Sequence, residues 1–190
     1  MGGLLTQLLL LDHPERLLSA TLFCTGPLPG ADVLERPAPT PELLALWAQL
    51  GDERDEAAEM AFRLDHWRLL NGSGTPFDEA EFRALEERVA AHGGRLDASS
   101  ATAHARADTD GLVRGAELRG VTTPVLVVEA PEDPAYPPPS AQLLEAAIGT
   151  PETTRRVVVP GMGHALPAAV LGPLLDAVEA HVDDVDHDRA

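Results

Sequence analysis

The sequence predicts an α/β protein, with parallel strands flanked by helices and an inserted helical cap. Three observations predict it. Val125-Leu126-Val127-Val128 and Val157-Val158-Val159 are continuous apolar runs rather than alternating ones, the pattern of strands covered on both faces. Each run is followed by a stretch with helical spacing, about 139–148 and about 166–182. Between 41 and 92, three further helical stretches follow one another with no strand between them, which sets them apart as an insertion.

The elements follow in order. Gly3 to His13 reads as a helix with almost no polar face, since Leu4, Leu5, Leu8, Leu9, Leu10 and Leu11 fill it, and such a helix needs cover on more than one side. Pro14 stops it, and the run to Phe23 and Cys24 reads as a short strand. Prolines and glycines from Thr25 to Pro41 mark a linker. Pro41 to Leu50, Glu53 to Leu70 and Asp78 to His92 are the cap helices, with Thr40 and Asp78 as N-caps. Ala98 to Asp110 is polar and returns the chain to the core. From Val121 the pattern is strand 124–129, helix, strand 155–159, helix. The expected division is 1–30 for the start of the core, 31–110 for the cap, 111–182 for the rest of the core and 183–190 for an acidic tail. That tail reads as a solvated, frayed terminus rather than a metal site.

Composition narrows the function. The 190 residues carry 14 cations, all arginine, against 31 acids, a formal charge of −17. Nucleic-acid binding needs clustered cations and is excluded as a reading. Anionic membrane surfaces are disfavoured, and neutral or cationic small molecules are favoured as partners. The single cysteine, Cys24, has no internal disulfide partner and reads as a buried free thiol in a reducing compartment. The apolar stretch Leu4–Leu11 is too short to span a bilayer and has no basic flank, so the chain reads as cytoplasmic.

The chemistry-bearing segments follow the two apolar runs. After the second comes Pro160-Gly161-Met162-Gly163-His164, a histidine on a glycine-loosened loop. After the first comes Ala130-Pro131-Glu132-Asp133-Pro134. An acid and then a histidine, each on the loop after a parallel strand, match the last two members of a Ser…Asp…His triad in chain order. In that arrangement the imidazole takes the proton of a serine hydroxyl, and the carboxylate fixes the ring's tautomer and stabilises the imidazolium. His164 is the candidate base and Asp133 the candidate orienting acid, with Glu132 as the competing acid. The bland reading of Asp133 is a loop aspartate capping the next helix. His66 and His92, on cap helices, either touch a ligand or face solvent, and nothing around His104, His181 and His187 gives them a task.

Together these segments resemble the α/β-hydrolase superfamily over essentially the whole chain. Met1-Gly2-Gly3 looks like the trailing part of that family's G-x-S-M-G-G nucleophile elbow, and His13-Pro14-Glu15-Arg16-Leu17 like its turn into strand 6. The acid loop and the histidine loop then follow strands 7 and 8. More closely, Trp67-Arg68-Leu69-Leu70 and Ser73-Gly74-Thr75-Pro76-Phe77-Asp78 are similar to the cap of aclacinomycin methylesterase-type enzymes of aromatic polyketide pathways. The resemblance implies the C-terminal part of an α/β-hydrolase fold, hydrolysis of a methyl ester on a bulky flat substrate, Trp67 and Phe77 as cap contacts, and no metal or organic cofactor. It also implies that the serine belongs immediately before Met1, with strands 1 to 5 and the oxyanion loop ahead of it, on the order of a hundred residues. The oxyanion N–H would then fall on Met1, as a terminal amine. The resulting expectations are an inactive 190-residue chain, an open apolar edge on the Ala20–Cys24 strand, and a partly uncovered leucine helix. Two alternatives stay open: a non-catalytic remnant acting as an interaction module, and haloperoxidase- or dehalogenase-like chemistry on the same fold.

Overall fold

A computed structural model describes residues 1–94 and 111–187. Its core is a three-stranded parallel sheet in the order β1 (Ala20–Phe23), β2 (Val125–Glu129), β3 (Thr154–Val158). Ala20 pairs with Val125, and Val125 pairs with Thr154. All five residues of β2 are buried, as its unbroken apolar run requires. Alternate side chains of β2 serve two cores. Val125 and Val127 pack with Leu10 of α1 (Gly2–Asp12) and Leu144 of α5 (Ser140–Ala147) on one face. Leu126 and Val128 pack with Val170 and Leu174 of α6 (Ala168–His187) on the other. Helices on both faces of a parallel sheet make the predicted α/β architecture.

The leucine helix α1 is partly uncovered, in line with expectation: Gln7 and Leu10 are buried, while Leu5 and Leu9 are about half exposed. Among the described residues β1 pairs only with β2 and stands at an edge of the sheet. Two other expectations are corrected. The second apolar run is not a strand covered on both faces. β3 is half-buried and Val158 is exposed, with Arg155 and Arg156 on its rim pairing with Asp184 and with Glu129 and Glu145. Finally, residues 183–187 are not a frayed tail but the last turns of α6, held by buried Val185 and by the Arg155–Asp184 pair.

The cap comprises α2 (Pro41–Trp47), α3 (Glu56–Asn71) and α4 (Glu79–Gly93). Each starts where a side-chain oxygen accepts from a free first-turn N–H: Thr40 from Leu43, Asp55 from Ala58, and Asp78 from Ala80 and Glu81. The Asp55 cap explains why α3 begins at Glu56 rather than Glu53. Arg63 of α3 bridges Glu59 and Glu86 at 3.0 and 2.7 Å, and the Trp67 indole N–H donates to Glu86 at 2.6 Å, clamping α3 to α4. Both carboxylates are buried and paired, which is what makes their burial tolerable. Phe82, Leu70 and Leu43 form a third core that includes Ala135 and Ala165 from the loops after β2 and β3. The cap therefore rests on the carboxyl edge of the sheet. The predicted return segment from Ala98 to Asp110 lies outside the described residues. No described helix is long and apolar enough to cross a membrane.

Leu126 is fully buried on the face shared with α6. Leu126→Ala is expected to lower the unfolding free energy by about 2–5 kcal/mol. The check is a lower urea midpoint at unchanged denaturant slope.

Candidate active site

Two loops at the carboxyl edge build the site. After β2, the chain turns through Ala130–Pro134, with the Asp133 N–H donating to Ala130 at 3.2 Å. Asp133 is buried, and its Oδ1 accepts from the N–H groups of Ala135 and Tyr136 at 2.8 and 2.9 Å. After β3, Gly161 adopts φ 76°, a left-handed turn that glycine accommodates without strain. The two loops are tied directly, since the Glu132 N–H donates to the Met162 carbonyl at 3.0 Å.

The cap then locks the histidine. The N–H groups of His164 and Ala165 both donate to the carbonyl of Leu70, at 2.7 and 3.0 Å, in the last turn of α3 where helix carbonyls lack partners of their own. Gly163 is demanded by this contact, because a Cβ there would lie 2.4 Å from the carbonyl oxygens of Leu70 and Asn71. At the other end of the cap, the Thr40 N–H donates to Pro134 in the acid loop at 2.8 Å.

The result is that His164 Nδ1 stands 3.0 Å from each carboxylate oxygen of Asp133. With Nδ1–H donating, the Nε2 lone pair is left free to accept a proton. Tyr136 stacks over the imidazole, with centroids 6.1 Å apart. Burial alone raises the Asp133 pKa, but the hydrogen bond and charge of His164, together with the two backbone N–H groups, hold it below the ordinary carboxylate value. Glu132, the competing acid, is occupied elsewhere, accepting from the Ser73 hydroxyl at 2.8 Å and so bracing the cap loop. Among the described residues no side-chain hydroxyl hydrogen-bonds to His164 Nε2.

His164 opens into a cavity of about 750 Å³ between the cap and the core. Trp47, His66, Trp67 and Phe82 line it, along with Leu166 beside the histidine. Trp67 stacks on Phe82 at 5.1 Å, and the Trp47 indole N–H donates to His66 Nε2 at 2.9 Å. Burial first, and the nearby His164 second, push His66 below the ordinary histidine value, so it presents a neutral ring.

Known proteins similar to this chain were found both by sequence and by fold. The chain is 40% identical over 195 aligned residues to rhodomycin D methylesterase DnrP of Streptomyces peucetius and to rhodomycin D methylesterase DauP of Streptomyces sp. strain C5. Each match covers 95% of this chain, and the chain spans 64% of the length of each relative. No family model matches. Among solved structures, a thermophilic esterase aligns with TM-score 0.59 and 23% identity, covering 96% of this chain and 63% of its own. The 2-hydroxy-6-oxo-6-phenylhexa-2,4-dienoate hydrolase of Rhodococcus sp. strain RHA1 aligns with TM-score 0.60 and 23% identity, covering 100% and 62%. The chain has the α/β-hydrolase fold. Its sheet β1–β2–β3 and its helices follow that fold, with Asp133 and His164 on successive strand-end loops.

The structure places the remaining sequence candidates as follows. Trp67 is on the cavity wall, whereas Phe77 stands behind it, stacked on Phe82 at 5.1 Å and covered by the Arg68 guanidinium. Met1 caps α1, half exposed, with its carbonyl accepting from the N–H groups of Leu4 and Leu5. A Cβ on Gly3 would come within 2.6 Å of Thr25, which puts the start of α1 at the carboxyl end of β1, on the edge that carries the two loops. His92 is exposed near the end of α4, and His181 is buried on α6. His187 is exposed in the last turn of α6, and His104 lies outside the described residues.

Two features were missed by sequence reasoning. Trp47 and Phe82 come from cap helices other than that of His66, which the sequence left open as a ligand contact, and nothing local tied the three to one cavity wall. Cys24 reads as a strand residue but lies just past β1 at φ 51°, with its thiol 3.5 Å from the Gly163 carbonyl. Burial, then the Asp133 carboxylate, push this thiol well above the ordinary cysteine value.

Because Asp133 titrates lower in the folded chain than when unfolded, it contributes stability that is complete above about pH 4 and fades as the pH falls further. Asp133→Asn is therefore expected to be less stable at neutral pH and to lose less on acidification below that point. Urea unfolding of both proteins across the acid range reads the difference.

Proposed function

We propose that this chain carries the acid–base pair and substrate cap of a serine-type carboxylic ester hydrolase, a methylesterase acting on a bulky, flat aromatic ester. The observation that carries the reading is the Asp133–His164 pair, 3.0 Å apart, opening into a cavity walled by stacked aromatic rings. The relatives' printed activity as rhodomycin D methylesterases supports the ester chemistry and the substrate class.

In this mechanism His164 Nε2 takes the proton of the nucleophilic hydroxyl as it attacks the ester carbonyl. The imidazolium so formed is stabilised by buried Asp133, which stays ionised. The same proton is then delivered to the departing methoxide, releasing methanol. A water attacking the acyl intermediate is deprotonated in turn, and the acid product leaves. Asp133 holds the Nδ1–H tautomer throughout. Stacked Trp67 and Phe82 suit a planar ring system, and the acid-rich chain suits a neutral or cationic ligand.

With no described hydroxyl on Nε2, residues 1–190 are expected to bind such an ester without turning it over. Both tryptophans of the chain, Trp47 and Trp67, line the cavity, so their fluorescence reports occupancy directly. Saturable quenching by a polycyclic aromatic methyl ester, weakened in Phe82→Ala and absent with a short aliphatic methyl ester, is the expected result. Equal responses to both esters, or none, would contradict the substrate reading. Hydrolysis by residues 1–190 that disappears in His164→Ala would show a nucleophile within the chain and contradict the expected lack of turnover.

A further inference from the structure

Cys24 has no task in ester hydrolysis, yet its placement is specific. It is a non-glycine residue held in the left-handed region, a conformation that persists only where surrounding structure imposes it. Its sulfur, a carboxylate oxygen of Asp133 and a ring nitrogen of His164 all lie within 4.8 Å of one another. Sulfur, imidazole nitrogen and carboxylate oxygen on three separate loops form a mixed donor set with the character of a zinc site.

We propose that Cys24, Asp133 and His164 form a three-ligand site for a thiophilic divalent cation, Zn²⁺ or its analogue Cd²⁺, and that occupancy takes His164 out of use as a base. In a tetrahedral zinc site, bonds of about 2.0–2.3 Å place neighbouring donor atoms roughly 3.3–3.7 Å apart. The nitrogen and oxygen, now 3.0 Å apart, need only separate slightly. The sulfur closes in by side-chain rotation. Asp133 Oδ1 is already held by the Ala135 and Tyr136 N–H groups, leaving Oδ2 to face the ion, which is the outer-shell orientation that metal-binding carboxylates use. The fourth position stays open to water.

The protons balance simply. Cys24 binds as thiolate and releases its proton to solvent. The imidazole binds through Nδ1 and stays neutral, its single proton now on Nε2. A protonated Nε2 accepts nothing from a nucleophile, so the bound metal and the base function exclude each other. Mg²⁺ and Ca²⁺, which prefer all-oxygen shells, have no comparable affinity for this set.

Because the chain contains one cysteine, the thiolate-to-Cd²⁺ charge-transfer absorption can come only from Cys24. This readout does not depend on the ester-hydrolase reading. Titration of residues 1–190 with Cd²⁺ is expected to raise that band to a stoichiometric end point, with Zn²⁺ competing it away. Cys24→Ser should abolish the band, and Asp133→Asn and His164→Ala should each weaken Cd²⁺ binding by at least about tenfold in calorimetry. No band in the folded, unsubstituted protein would overturn the proposal. So would a band whose affinity is unchanged in both Asp133→Asn and His164→Ala, since Cys24 would then bind alone.

Discussion

One carbonyl group, that of Leu70, joins the two halves of this molecule. It lies in the last turn of α3 and accepts from the backbone N–H groups of both His164 and Ala165. Those donors lie on the loop between β3 and α6, so the cap does not merely cover the site but sets the path of the chain that carries the histidine. Gly163 lets the two backbones approach within van der Waals distance, and a methyl group there would collide with the Leu70 and Asn71 carbonyls. Buried donors left without this acceptor would each cost about 1–3 kcal/mol. The orientation of the imidazole toward Asp133 follows from this docking.

Charge is used in a correspondingly selective way. The chain is strongly acidic, but its buried carboxylates are committed: Glu59 and Glu86 to Arg63 and Trp67, and Glu129 to Gln142 and Arg156. Glu132 braces the cap loop through Ser73. Asp133 alone among these carboxylates faces an imidazole, and the hydrogen bond and charge of His164, helped by the Tyr136 and Ala135 N–H groups, hold its pKa below the ordinary carboxylate value there. The same acid loop supplies Ala135 and Tyr136 to the cap core, so the packing of the cap and the electrostatics of the site share residues.

Much of this was legible in the sequence because the deciding signals are local. An unbroken Val/Leu run specifies a strand buried on both faces, and β2 is one. Pro160-Gly161-Met162-Gly163-His164 announces a bent loop, and Asp133, placed one residue closer to Pro134 than Glu132, is the acid that meets the ring. What could not be read depends on distant partners. The last turns of α6 are packed through buried Val185 and paired through Arg155, a strand residue that reaches Asp184. Cys24 looks like any strand residue until the loops after β2 and β3 close around it, and the meeting of Trp47 with His66 requires two cap helices to dock.

The central claim is that docking of the cap leaves His164 with its proton on Nδ1, shared with Asp133, and its Nε2 lone pair open to the cavity. Nitrogen-15 NMR of histidine-labelled residues 1–190 at neutral pH tests it most directly. The account predicts a His164 ring with a protonated, strongly deshielded Nδ1 and a bare Nε2, with that signature lost in Asp133→Asn. A His164 ring protonated on Nε2, or one exchanging between tautomers as a free imidazole does, would contradict it.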